Sequence, residues 1–465
     1  MSGFAFQTIR DLSAGLETKA FSPIDLLDDV LRRLETLEPV INSFACLDPS
    51  GARRDAKAAA KRQMAGARLS PLDGIPTSVK DLIAQKDLPQ RFGSRSTSDT
   101  PMSFDAPSVA RLRAAGAVLL GKSTTSEFGC KGVGDSPLTG VTRNPWNADL
   151  TPGGSSCGAA AMVAAGVVPY ALGTDGGGSV RIPAALTGLF GLKAQFGRVP
   201  VYPVSAAPTL AHVGPLARTV EDAAIVMEAT AGFDRRDPFS VAGGAPLYTA
   251  FKAPDRPLRI AYSPTLGYAK PAPDVLDLVA AAAQAIEALG HEVTHVDHVL
   301  ENPIDLWISE FYAGAGTRLH DITQSAPELI DPAVLEMLRP ALSQDLLGYY
   351  SKVFERYALR EKMRLFFDDY DLLISPTLPC TAFKVGHNAP PGWPDQSPVG
   401  WVAYTYPFNL TGQPAASLPV GFNAEGLPVG LQVVGPSHDE ATIFALCAQY
   451  QAAHSTLTKR PPTAK

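Results

Sequence analysis

Residues 151–183 read TPGGSSCG (151–158), AAAMVAAGVVPYA (159–171) and LGTDGGGSVRIP (172–183), and the middle segment decides the class of fold. The apolar run from Ala159 to Leu172 is broken by Gly166 and Pro169. It is too short to cross a bilayer and reads as a buried helix followed by a buried strand. The flanking segments are rich in Gly, Ser and Thr, residues that let backbone approach closely and adopt dihedrals that other residues resist.

Outward from this stretch, helix and strand patterns alternate. Ser22-Pro23 is an N-cap and first helical position, followed by Ile24, Leu27, Val30, Leu31 and Leu34 at helical spacing. A polar helix runs from about Arg53 to Gln63, and PLDGIPTSVKD carries the chain into the interior around Val79. A helix over 106–116 precedes a short strand in AVLLGK. Further on, LRIAYSP reads as a strand, Pro273–Leu289 as an Ala-rich helix stopped by Gly290, and EVTHVD as a strand. This is the strand, helix, strand order of a sheet crossover. Residues 301–370 read as helical, and LLISPTLP as a strand entering a loop. The prediction is an α/β fold, a sheet flanked by helices, forming a single domain over 1–465 because no flexible linker divides the chain.

Composition narrows the function. At 465 residues with 45% hydrophobic and 18% charged residues, the chain has material for a large core and too little charge for disorder. Its 40 Lys plus Arg against 46 Asp plus Glu form no basic stripe, so no nucleic-acid partner is expected and a small neutral substrate fits better. Five scattered cysteines without a CxxC pair indicate neither a disulfide framework nor a metal knot, and favour a reducing, cytoplasmic location. The opening MSGFAFQTIRDLSAG lacks the basic head and apolar run of a signal peptide, and no membrane partner is expected.

Two readings of the glycine-rich loops remain open on the residues alone. They are tight turns, or the amides near Ser179 form an oxyanion hole with Ser179 as nucleophile. A serine nucleophile needs a base. The segment is not a GxSxG elbow, and His212 is the only histidine near it in sequence. Lys80, after Thr77-Ser78-Val79, is the alternative, because burial lowers a lysine pKa and makes a neutral amine available near neutral pH.

Taken together, GIPTSVKD, TPGGSS, GTDGGGSVRIPA and the later NLTGQPAASLPVGFNAEGLPVGLQVVG (409–435) resemble the amidase signature family. The resemblance is strong over roughly 65–220, the expected catalytic core. It implies the amidase-signature fold, with a central mixed sheet flanked by helices, and amide hydrolysis through an acyl-enzyme without cofactor or metal. It also implies roles. Ser179 would be the nucleophile, Ser155 a bridging serine reached through a cis peptide from Gly154, and Lys80 the terminal base. The amides of Gly176, Gly177, Gly178 and Ser179 would form the oxyanion hole, supported by Ser156, Asp175 and Arg181. The chain departs from the family pattern at Cys157, where Gly is usual, and at Gly177, where Thr is frequent. Cys157 is expected to be a structural thiol, and Gly177 to make the loop slightly more adaptable.

The expected substrate is a small aryl or apolar amide, with aryl esters and carbamates as related carbonyls and water as the second reactant. A glutaminase subunit of a tRNA-dependent amidotransferase and a noncatalytic binding protein are the alternatives. The pocket is expected within 300–409, including 386–409, and around 128–136, with Cys130, Trp307, Tyr312, Trp393, Trp401, Tyr404 and Tyr406 as candidate lining. A homodimer is expected from the resemblance, with no dimer motif to carry it.

Overall fold

The computed structural model describes residues 3–242, 254–393, 397–456 and 459–464; the 386–409 segment thus has 394–396 outside the described residues. Each sequence motif for a helix start acts as one. Ser22 caps helix Pro23–Ile41 in a reciprocal capping box with Asp25, and Asp48 caps Pro49–Met64, a turn earlier than the polar pattern suggests. The run after Cys157 forms helix Cys157–Ala164, buried throughout, and then strand Tyr170–Asp175.

Among the described residues, eleven strands form one sheet. The order across it is Phe44–Leu47, Val118–Ser123, Pro76–Lys80, Tyr170–Asp175, His212–Ala217, Phe190–Lys193, Ala415–Phe422, Pro428–Val434, Leu372–Pro376, Arg259–Tyr262 and Glu292–His295. Pro76–Lys80 runs parallel to both its neighbours, whereas Tyr170–Asp175 pairs antiparallel with His212–Ala217, so the sheet is mixed. Successive strand residues point to opposite faces. Tyr170 and Leu172 therefore join the core under helices Ile9–Glu17 and Val220–Thr230, while Ala171 joins the core under Pro23–Ile41 and Cys157–Ala164. Helix Ile304–Ser325, helix Pro332–Ser343 and the 399–410 turns share a third core beside the sheet. No described helix is long and apolar enough to cross a membrane.

This topology delivers the signature residues to one place. Lys80 ends a central strand, Asp175 ends its parallel neighbour, and Ser155 and Ser179 lie just ahead of helices Cys157–Ala164 and Arg181–Thr187.

Candidate active site

The Lys80 amine is fully buried and lies 2.7 Å from Ser155 Oγ and 2.9 Å from Thr174 Oγ1. Burial lowers its pKa to about 7 against the weak opposing attraction of Cys157 and Asp175. The amine is therefore partly neutral at pH 7 and adjacent to a hydroxyl. The Gly154–Ser155 peptide is cis. A Cβ on Gly154 would stand 2.2 Å from the Val133 carbonyl oxygen, so only glycine fits there. Ser156 N–H donates to the Ser179 carbonyl at 3.3 Å, and Ser156 Oγ donates to the Thr174 carbonyl at 3.2 Å, tying the two serine loops together.

The 175–181 loop is built around one buried ion pair. Arg181 holds both Asp175 oxygens at 3.0 Å and also donates to the Thr405 carbonyl, Gln432 Oε1 and Asn409 Oδ1. Burial alone would raise the Asp175 pKa, but Arg181 and Asn409 hold its carboxyl below the usual range. Asp175 in turn accepts from the Gly178 amide at 2.8 Å. Of the four amides expected to form an oxyanion hole, the Gly178 N–H is thus engaged, while those of Gly176, Gly177 and Ser179 meet no acceptor among the described residues. At Gly177 an added Cβ would stand 2.4 Å from Trp307 Cζ2, so a side chain has no room there. The indole occupies the side-chain space that a threonine would need.

His212 is buried against the loop, with both ring nitrogens facing groups other than the serines. Its Nδ1 faces the Leu210 carbonyl at 2.7 Å and the Asp175 carbonyl at 3.1 Å, and its Nε2 faces Lys193 Nζ at 3.4 Å. Burial, reinforced by Lys193, holds its pKa well below the ordinary histidine value. Cys157 is equally unsuited to attack. Burial pushes its thiol pKa up, and Sγ donates to Thr124 Oγ1 at 3.5 Å.

A family model described as Amidase matches residues 25–444. The chain is 35% identical to an acylamidase of Rhodococcus erythropolis, covering 97% of this chain and 96% of that one. It is 36% identical to a glutamyl-tRNA(Gln) amidotransferase subunit of Roseiflexus castenholzii, covering 98% and 97%. Its fold superposes on a 6-aminohexanoate cyclic dimer hydrolase in complex with substrate with a TM-score of 0.91, at 26% identity and 99% coverage of both chains. The chain belongs to the amidase signature family. It is accordingly a serine-type hydrolase acting on carbon–nitrogen bonds.

In this amidase signature enzyme, Ser155, Thr174, Gly176 and Ser179 open onto a cavity of about 450 Å³. Its walls are largely apolar: Phe92 and Phe128 stack at 5.8 Å on one side, and Phe311, Leu319, Ile322 and Tyr202 also line it. Helix Ile304–Ser325 contributes Phe311, Leu319 and Ile322, but none of the named candidates lines the cavity. Trp307 lies under the 175–181 loop, donating Nε1–H to the Gly176 carbonyl at 2.8 Å. Tyr312 donates to the carbonyl of Cys130 at 2.7 Å, which uses both residues in packing. Trp401 donates to the Asn388 and Pro398 carbonyls, Tyr404 to the Pro264 carbonyl and Tyr406 to Asn302 Oδ1. Trp393 packs half-buried against the third core. Most of these indoles and phenols are drawn by their polar tips to a backbone or side-chain acceptor behind the cavity wall. Besides that helix, the lining comes from Phe92, Phe128 of the expected 128–136 segment and the 200–206 loop, for which a signal existed in the Pro-rich apolar run VPVYPV.

Proposed function

We propose that the chain hydrolyses small aryl or apolar carboxylic amides through an acyl-enzyme on Ser179. The observation that carries this reading is the buried Lys80 amine 2.7 Å from Ser155 Oγ, a serine that opens with Ser179 onto a largely apolar cavity. As Ser179 Oγ attacks the carbonyl carbon, its proton passes to Ser155 Oγ and the Ser155 proton to neutral Lys80. The amides of Gly176, Gly177 and Ser179 take the negative charge on the carbonyl oxygen; one such donor contributes roughly 3–4 kcal/mol. Collapse breaks the C–N bond, the leaving nitrogen takes a proton from Ser155, and Lys80 returns one to Ser155. Water repeats the sequence against the ester and releases the acid. Aryl esters and carbamates present the same carbonyl and fit the same scheme.

The second reading, a glutaminase subunit serving a tRNA-linked synthesis, is favoured by the 36% identity to the Roseiflexus castenholzii protein. Against it, the side chains that line the cavity near the serines are largely apolar, and its charged lining, Arg318 and Asp321, is exposed. Free glutamine would have to bring both an ammonium and a carboxylate into compensating contacts there.

The isolated chain, given an aryl acylamide and glutamine at equal concentration, is expected to show the higher kcat/KM for the aryl amide. Mass spectrometry with an activated aryl ester is expected to place the acyl group on Ser179. A preference for glutamine, or an adduct on Cys157 with none on Ser179, would overturn the proposal.

A further inference from the structure

Next to the active-site cavity lies a second hollow of about 650 Å³. Both are lined by Val204, Ser205, Ala206 and Arg318, so one strip of chain and one guanidinium form the partition between them. The strip rests on helix Ile304–Ser325 at two points one helical turn apart. At Gly314 the Ala206 carbonyl oxygen sits where a side chain would begin, 1.9 Å from the position of a Cβ. At Arg318 the guanidinium donates to the Val204 carbonyl at 2.9 Å. Each flank has its own anchor. Tyr202 lies under the Arg236 guanidinium at 5.2 Å and against Phe104 at 5.4 Å, while Ala207 is buried in the third core. Between these anchors Val204 is 56% exposed, and Arg318 supplies the hydrogen bond that holds it to the helix. The outer hollow has an apolar side in Pro208, Ala313, Ala341, Leu342 and Leu346, and a polar side that includes Thr209, Glu310, Thr317, Gln344 and Asp345.

We propose that Arg318 is a specificity-determining residue that limits acyl length. With its hydrogen bond to Val204 in place, an acyl group is confined to the inner cavity. Without it the strip lifts, the two hollows join, and a long unbranched acyl chain enters the outer one. The inference rests on the reading of the inner cavity as the acyl-binding end of a hydrolase.

The test uses the full-length chain and p-nitrophenyl esters and p-nitroanilides of butyric and decanoic acids. Arg318→Ala is expected to raise the decanoyl-to-butyryl ratio of kcat/KM at least tenfold, whereas Arg318→Lys, which retains a donor, keeps the wild-type ratio. General loosening of the fold would lower both rates together. An unchanged ratio in an active Arg318→Ala enzyme overturns the proposal. Should that variant not fold, Gly314→Ala, whose methyl displaces the Ala206 carbonyl, is judged by the same ratio. Calorimetric binding of decanamide and butyramide in a Ser179→Ala background separates the two readings. A wild type that cleaves none of the substrates removes the reading of the inner cavity as the acyl-binding end, while a tenfold shift in the binding ratio on adding Arg318→Ala still supports the partition, and no shift overturns it.

Discussion

Lys80 shows how one residue acquires a chemical role from its surroundings. Its hydrogen-bond partners are two hydroxyls, Ser155 and Thr174, whereas Lys122, equally buried, has the Asp81 carboxylate at 3.6 Å. With burial dominant and its pKa near 7, Lys80 accepts a proton only in its neutral form. Protonation below about 7 removes the base, so kcat/KM is expected to fall by roughly tenfold per pH unit on the acid side and to level off above it. Lys80→Ala is expected to cost about 10²–10⁴-fold in the amide rate. A rate independent of pH between about 5.5 and 8 would remove the amine from the relay. The burial of Lys80 was legible from the apolar strand that leads into it, and such burial is costly for an isolated ammonium; the role proposed for it came from the resemblance. Thr174 lies in the same motif as Ser179, yet its contact with Lys80 depends on a strand register that short-range pattern does not specify.

At the scale of elements, periodicity is a sound guide to helices and strands, because burying one face of a helix imposes its own spacing on the sequence. The strands Phe190–Lys193 and His212–Ala217 escape it, since buried four- to six-residue segments among glycines carry little alternation. The aromatic candidates do not line the cavity for a related reason: a ring's place in a variable segment says nothing about which side of a cavity wall it occupies. Trp307 is the clearest case. Its ring stacks between Phe311 at 4.7 Å and Tyr406 at 5.7 Å, and occupies the space beside Gly177. Loop and helix are thus matched, a small residue opposite a large one. Gly177→Thr is expected to overpack this contact, destabilising by about 1–3 kcal/mol and lowering kcat as the loop amides shift. Combined with Trp307→Ala, which creates room, the threonine is expected to cost less than it does alone, by about 0.5–3 kcal/mol in a double-mutant cycle on urea unfolding. Simple additivity would show that the indole does not determine what position 177 tolerates.

Across the whole molecule, the active site depends on chain segments more than two hundred residues apart. Arg181 reaches Thr405, Asn409 and Gln432 while holding Asp175, and Asp175 fixes the Gly178 and Val180 amides on either side of Ser179. Thr405 Oγ1 adds a bond to the Gly177 carbonyl at 2.6 Å. The carboxyl-terminal motif thus has a structural part beside the serine motifs: its Asn409 and Gln432 supply acceptors that seat the 175–181 loop. An arginine with five acceptors in a fixed fork has no equivalent in lysine, whose ammonium is a compact point charge. Removing the guanidinium leaves the fully buried Asp175 without its main counter-charge, which costs about 3–5 kcal/mol. Arg181→Met is therefore expected to lower the free energy of urea unfolding by that amount and to abolish acylation of Ser179, even though Arg181 stays clear of the substrate cavity. Adding Asp175→Asn removes the stranded charge, so the double variant should be more stable than the sum of the two single losses implies. It should remain inactive, because the oxyanion loop has lost the anchor that joins it to the carboxyl-terminal strands. A double variant whose losses simply add, or one that acylates at the wild-type rate, would show that the ion pair neither carries the loop nor couples the two ends of the chain.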